Sequence, residues 1–331
     1  MALYDVPAPA KINLFLHVTG RRPDGYHTLQ TAFRFIDLSD TLNFEARSDG
    51  NIVRDGDPVP GLASEHDLVI RAARALQQAT GTAQGAIIAY KKVIPSGAGL
   101  GGGSSDAATT LIALNKLWNT GLDRHELMRL ALTLGADVPV FIYGQAAFAE
   151  GIGEILTPVE LPPKAYVIVQ PDQDVPTEGV FSAPDLTRNT PCVKIAVFAD
   201  WQKKNAPEGG YKNDGYEGSG YENTGHYADY GGTSLFGRND LSPVVYARYP
   251  SVAAAHKLLQ AWGYTARMTG SGSCLFVEFA NLQQARLCQQ KIVARMSSRQ
   301  CNETGYDTAV IKNSWACTGL MDHPLKYWTC S

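Results

Sequence analysis

With 331 residues, 44% of them hydrophobic, the chain is long enough for one large domain or two ordinary ones around a real core. Its net charge of −3, with no cluster of Lys or Arg, gives a phosphate backbone no electrostatic footing, so nucleic acid is not an expected partner. Met1-Ala2-Leu3-Tyr4-Asp5 lacks the basic region and apolar core of a signal peptide, and no apolar span reaches membrane length, which predicts a cytoplasmic protein without membrane contact.

Residues 11–18 alternate, with Ile12, Leu14, Leu16 and Val18 on one face and Lys11, Asn13, Phe15 and His17 on the other. That is the pattern of a half-buried strand, and on it Lys11 and Asn13 read as a solvated polar edge. Strand signals follow at 31–36 and 41–45, then a helix over about 68–79 capped by Asp67. The stretch Ala86-Ile87-Ile88-Ala89-Tyr90 predicts a strand, and a glycine-rich loop separates it from a helix over about 105–118. A second helix over about 124–134 opens on Asp123, with Glu126 at the third helical position and Leu122 and Leu127 as a hydrophobic staple, and stops at Gly135. Strands are predicted at 140–143 and 146–149.

Leu161-Pro162-Pro163-Lys164 reads as a linker, and Ala165-Tyr166-Val167-Ile168-Val169 as the strand that opens a second unit. The expected domains are therefore 1–160 and 161–331. Residues 203–232 interrupt the second with Gly, Asn, Asp and Tyr and almost no aliphatic side chains, a flexible insertion that burial cannot order. A helix over 251–262, closed by Gly263, precedes strands at 265–269 and 275–279 around Gly270-Ser271-Gly272-Ser273. Strands mixed with paired helices, without regular β-α alternation, predict an α+β fold. Cys192, Cys274, Cys288, Cys301, Cys317 and Cys330 have gaps unlike any metal site and read as free thiols; no zinc motif is present.

The loop Pro95-Ser96-Gly97-Ala98-Gly99-Leu100-Gly101-Gly102-Gly103-Ser104-Ser105 carries the chemistry. Glycines let backbone N–H groups turn toward a ligand, and the following helix adds unpaired N–H groups and a positive dipole end, a combination suited to phosphate. Gly97, Gly99 and Gly102 also satisfy the dinucleotide-binding spacing, with Asp123 at the ribose position. Asp123 reads as a helix cap, however, whereas a ribose-binding acid ends a strand. Walker A and protein-kinase signatures are lacking. Asp137, in Gly135-Ala136-Asp137-Val138-Pro139, sits among apolar residues as either a turn residue or a base.

Pro9-Ala10-Lys11-Ile12-Asn13-Leu14, the glycine loop and Thr269-Gly270-Ser271-Gly272-Ser273 resemble the three motifs of the superfamily named after galactokinase, homoserine kinase, mevalonate kinase and phosphomevalonate kinase. Gly20-Arg21-Arg22-Pro23-Asp24-Gly25-Tyr26-His27-Thr28-Leu29 and Gly135-Ala136-Asp137-Val138-Pro139 resemble its branch that acts on a cytidine diphosphate-linked methylerythritol in non-mevalonate isoprenoid biosynthesis. The resemblance spans about 7–200 and 237–279. It implies a two-domain α+β kinase with its active site in the cleft between domains, ATP and Mg2+ as co-substrates, and transfer to the 2-hydroxyl of the erythritol moiety.

The same resemblance makes Lys11 and Asp137 catalytic, and places Asn13, Tyr26, His27, Thr177 and Phe181 at the substrate. It puts Pro95, Gly97, Ala98, Gly99, Leu100, Gly101, Gly102, Gly103, Ser104 and Ser105 on ATP, and leaves the metal ligands unassigned. In that scheme Asp137 accepts the hydroxyl proton and Lys11 stabilises charge on the γ-phosphoryl. Tyr26 and Phe181 can sandwich a pyrimidine while His27 bonds its edge; for Phe181 a core role is the alternative. A monomer or weak homodimer is expected. Asp67 stands where many members carry asparagine, the 203–232 insertion has no counterpart, and the stretch from about 297 matches poorly, although His323-Pro324-Leu325 is similar to the family's ending. The competing readings are a kinase of the same fold for mevalonate or homoserine, against which Asp24-Gly25-Tyr26-His27 argues, and a non-catalytic sensor, against which Lys11 with Asp137 argues.

Overall fold

In the computed structural model, which describes residues 1–56, 67–204, 236–297 and 308–329, the chain opens with a long antiparallel ribbon. β1 (Ala2–Arg21) pairs with β2 (His27–Arg47) across a tight turn where Gly25 takes φ +92°. Then come β3 (Ile52–Asp55), α1 (Leu68–Thr80), β4 (Gly85–Lys91), α2 (Gly102–Leu117), α3 (Arg124–Leu132), α4 (Val138–Tyr143), β5 (Ala147–Glu150) and β6 (Ile155–Pro158). The strands form one sheet in the order β3-β4-β2-β5-β6, with β1 on β2, and α2 packs on β1, α1 and α4. α1 and α3 start where their caps predict: Asp67 accepts the Val69 N–H, and Asp123 forms a reciprocal capping box with Glu126.

The second unit comprises β7 (Ala165–Pro171), α5 (Thr177–Phe181), α6 (Ile195–Lys204), α7 (Ser242–Arg248), α8 (Pro250–Ala261), β8 (Ala266–Met268), β9 (Leu275–Phe279), α9 (Leu282–Ser297) and β10 (Ile311–Thr318). Its sheet is antiparallel, in the order β10-β7-β9-β8. The architecture is α+β in two units. From residue 205 on, the expected insertion lies outside the described residues, as do Cys301 and Cys330; Cys192, Cys274, Cys288 and Cys317 are free.

Among the described residues, three buried clusters hold the molecule together. One lies under α1, α2 and α4 and includes Phe33, Phe44, Leu111 and Phe141; a second fills the other unit with Val167, Leu258, Leu275 and Ile292. The third joins the units, packing Ile12, Phe15 and Phe148 of the first sheet against Tyr166 and Phe276 of the second. This junction corrects the reading of residues 11–18. Both faces of β1 are buried over residues 8–18: Phe15 meets Phe198 and Phe236 at 5.5 and 5.3 Å, the His17 ring packs on Phe15 and Phe236, and Lys11 and Asn13 line the space between the units.

Two further expectations change. The strands predicted at 31–36 and 41–45 are one strand, β2, and the Asp37-Leu38-Ser39-Asp40 step coincides with a register shift against β1 between the Pro9–Ser39 and Ala10–Ile36 pairs. Residues 140–143 are helical, not extended: Pro139 sits in the first turn of α4 and Gly144 ends it at φ +80°. A short apolar run does not distinguish the two by periodicity.

After β10 the chain returns to the first unit. Gly319 bridges Ile36, Asp322 bridges Gln145, the His323 N–H donates to the Gly144 carbonyl at 2.9 Å, and Leu325 enters the first core. We retain 1–160 and 161–331 as the proposed domains, with residues 319–329 packed on the first.

Candidate active site

A cleft of about 1010 Å³ runs between the two units. Lys11 and Asn13, two residues apart on β1, face it from the same side of the strand. The Lys11 ammonium donates to Asn13 Oδ1 at 2.6 Å and lies 3.3 Å from Asp137 Oδ2. Asn13 is held in turn: its Nδ2 donates to Thr31 Oγ1 at 2.9 Å, and its backbone N–H to Thr269 Oγ1 at 2.9 Å. The Lys11 side chain is 3% exposed and that of Asp137 40%. A buried ammonium thus has its partners, and the carboxylate at the start of α4 keeps a side open to the cleft.

The glycine loop lines the same cleft through Pro95, Gly97, Ala98, Gly99, Gly101, Gly102, Gly103 and Ser104. Gly99, at φ +73°, touches the second unit so closely that a Cβ would lie 2.1 Å from the Thr269 carbonyl oxygen. Gly101, at φ +71°, leaves space that a Cβ would contest with Lys11 and Phe141, each at 3.1 Å. Since α2 begins at Gly102, the N–H groups of Gly102, Gly103 and Ser104 have no partner in the helix and suit an anion.

Two of the residues expected at ATP, Leu100 and Ser105, turn their side chains inward. Leu100 turns its side chain into the core, and its carbonyl accepts the Lys11 N–H at 3.0 Å. Ser105 is fully buried with its hydroxyl donating to the Pro9 carbonyl at 2.7 Å, one helical residue past the open side. Its hydroxyl fastens α2 to β1.

Beside the loop lies a charged cluster that sequence reading missed. Lys92 bridges the carboxylates of Asp40 and Asp106, and Asp40 Oδ1 also accepts the Ile94 N–H at 2.8 Å. Burial, reinforced by Asp40 and opposed by Lys92, pushes the Asp106 carboxyl up to about 7. Its Oδ1 is buried without a hydrogen-bond partner among the described residues. Asp67, besides capping α1, accepts the Tyr90 hydroxyl at 2.6 Å and lies 3.7 Å from Arg54 Nε.

Tyr26, His27, Thr177 and Phe181 also line the cleft. Tyr26 is 58% exposed, a ring with an uncovered face. His27 and Phe181 have ring centroids 5.3 Å apart, and Phe181 also packs on the second core. The Thr177 and Ser271 hydroxyls share a hydrogen bond of 2.7 Å. Arg188 Nε donates to His27 Nε2 at 2.9 Å, a contact without a local sequence signal.

Residues 67–145 match the family model for the GHMP kinases N terminal domain, and residues 232–298 that for the GHMP kinases C terminal. The 4-diphosphocytidyl-2-C-methyl-D-erythritol kinase of Bordetella parapertussis is 55% identical over 333 aligned residues, covering 100% of both chains. The chain belongs to the 4-diphosphocytidyl-2-C-methyl-D-erythritol kinase family. The member from Cupriavidus metallidurans is 50% identical over 90% of this chain and 91% of its own. A solved structure of 4-(cytidine 5'-diphospho)-2C-methyl-D-erythritol kinase superposes with a TM-score of 0.69 at 30% identity, covering 96% of this chain and 99% of that one. The mevalonate kinase of Methanococcus jannaschii, at TM-score 0.60 and 13% identity over 97% and 98%, shares the fold. A 4-diphosphocytidyl-2-C-methyl-D-erythritol kinase is an ATP-dependent small-molecule kinase, and the glycine loop at the helix start is the part of this chain suited to a triphosphate.

Proposed function

We propose that this chain transfers the γ-phosphoryl group of ATP to the 2-hydroxyl of 4-diphosphocytidyl-2-C-methyl-D-erythritol, with Asp137 as general base and Lys11 as its electrostatic partner. The observation that carries the reading is the Lys11–Asp137 pair at 3.3 Å, in one cleft with the glycine loop and with Tyr26, His27 and Phe181.

In this reading the ring of Tyr26 and that of Phe181 hold the cytosine, and the N–H groups at the start of α2 hold the triphosphate. The substrate hydroxyl gives its proton to the Asp137 carboxylate as its oxygen bonds to the γ-phosphorus, and the bond to the β,γ-bridging oxygen breaks to release ADP. Lys11 stabilises the charge that spreads over the transferred group. Asn13, tied to Thr31 and Thr269, keeps the ammonium from swinging away.

A magnesium ion bound through nucleotide phosphates needs only one or two protein oxygens. The Ser104 hydroxyl and the unpartnered Asp106 Oδ1, both on cleft-lining residues, are of that type and would hold it. The ion would neutralise charge on the phosphates.

A coupled ADP-release assay with the cytidyl substrate, mevalonate and homoserine tests the reading. Turnover confined to the cytidyl substrate is expected. Turnover with either small alcohol instead would replace it with the other kinase reading, and no ADP release with any of them would favour a sensor.

A further inference from the structure

We propose that Arg188 is a positioning residue for substrate recognition, fixing the His27 imidazole with its hydrogen on Nδ1 so that the cleft presents a hydrogen-bond donor to the pyrimidine edge. The proposal rests on the cytidyl reading above. A guanidinium has donors only and stays protonated, so the ring nitrogen 2.9 Å from Arg188 Nε must supply a lone pair. Nε2 is therefore bare, and the hydrogen of a neutral ring sits on Nδ1.

Arg188 is not free to turn away. Its Nη1 donates to the Leu186 carbonyl at 3.0 Å, and its Nη2 to the carbonyls of Ala183 at 2.6 Å and Phe181 at 3.1 Å. One side chain thereby ties the end of α5, with the Phe181 ring, to His27 at the start of β2. The ring also resists a second proton: burial, then the charges of Arg188 and Arg21, lower its pKa from the ordinary value. His27 therefore meets the ligand as a neutral donor, which calls for an acceptor such as O2 or N3 of cytosine.

The test is histidine-labelled 15N NMR on the full chain at pH 7, with His27→Gln assigning the signal. The expected spectrum shows His27 neutral with its hydrogen on Nδ1, a readout that does not depend on any Arg188 variant folding. Arg188→Met should release the ring into mixed tautomers and raise KM for the cytidyl substrate about tenfold, the worth of one hydrogen bond, with KM for ATP unchanged. Arg188→Lys, which retains a donor, should lose less. A hydrogen on Nε2 in the unsubstituted protein, or a tautomer indifferent to Arg188→Met, would overturn the role of Arg188 itself. A shifted tautomer with unchanged KM in both Arg188→Met and His27→Gln would overturn the proposal through the cytidyl reading beneath it.

Discussion

Lys11 Nζ lies 3.3 Å from Asp137 Oδ2, an ion pair whose lysine is buried and whose aspartate opens to the cleft. If Asp137 is the base, Asp137→Asn preserves the shape and removes the proton acceptor, so kcat should fall by about 10² to 10⁴ while both substrates still bind. Lys11→Ala should also lower kcat, and the double variant should lose much less than the product of the single losses, because the two act as a unit. Steady-state kinetics on folded, saturated enzyme decide the matter. Asp137→Asn with most of its kcat intact would leave Asp137 a turn residue.

Adjacent serines should behave oppositely. Ser105→Ala removes a buried hydrogen bond to Pro9 and should cost about 1 kcal/mol of stability with KM for ATP unchanged. Ser104→Ala, on the cleft side, should raise KM for ATP and leave the melting temperature nearly unmoved. Thermal melts paired with ATP titrations would reveal a reversed pattern, which would return Ser105 to the nucleotide.

Tyr26 exposes its ring to the cleft. Tyr26→Ala should raise KM for the cytidyl substrate, since stacking on an aromatic is worth about 1 to 3 kcal/mol per base, and spare KM for ATP. Equal losses for both substrates in the same assay would make Tyr26 a structural residue of the β1–β2 turn.

Acid should act on His323. Burial holds its pKa down to about 3, with Nδ1 accepting the Leu325 N–H at 3.1 Å. Between pH 6.5 and 3 the unfolded chain takes up a proton that the folded one refuses, so stability falls as pH drops, by up to about 1.4 kcal/mol per unit. His323→Asn keeps an acceptor and does not titrate; urea unfolding at pH 6.5 and 4 should show it losing less stability than the unsubstituted protein. Parallel losses in the two proteins would exclude His323 as the source.

What could be read in advance depended on how local its cause was. The Asp67 cap and the Asp123–Glu126 box are set by residues a few positions apart and stand where the sequence predicts them, and the glycine loop gives way to helix at Gly102 rather than near Ser105. The buried polar face of β1 depends on Phe198 and Phe236, far along the chain, and alternation cannot report what covers a strand. Ser105 and Ser104 differ by one helical step, about 100° around α2, and no pattern says which faces the ligand. Arg188, in the loop after α5, reaches His27 at the start of β2 across 161 positions of sequence.

The return of residues 319–329 to the first unit sets the order in which the catalytic frame can form. His323 stands edge-on to Phe35 and Phe141, with centroids 5.5 and 6.3 Å away, and Phe141 abuts Gly101 at the mouth of the phosphate loop. During synthesis the N-terminal unit leaves the ribosome first, but the hollow between those rings stays unfilled until residues 319–329 follow. A chain that folds from its N-terminal side therefore forms the loop and the aspartate before the wedge behind them, because residues 319–329 follow both in sequence.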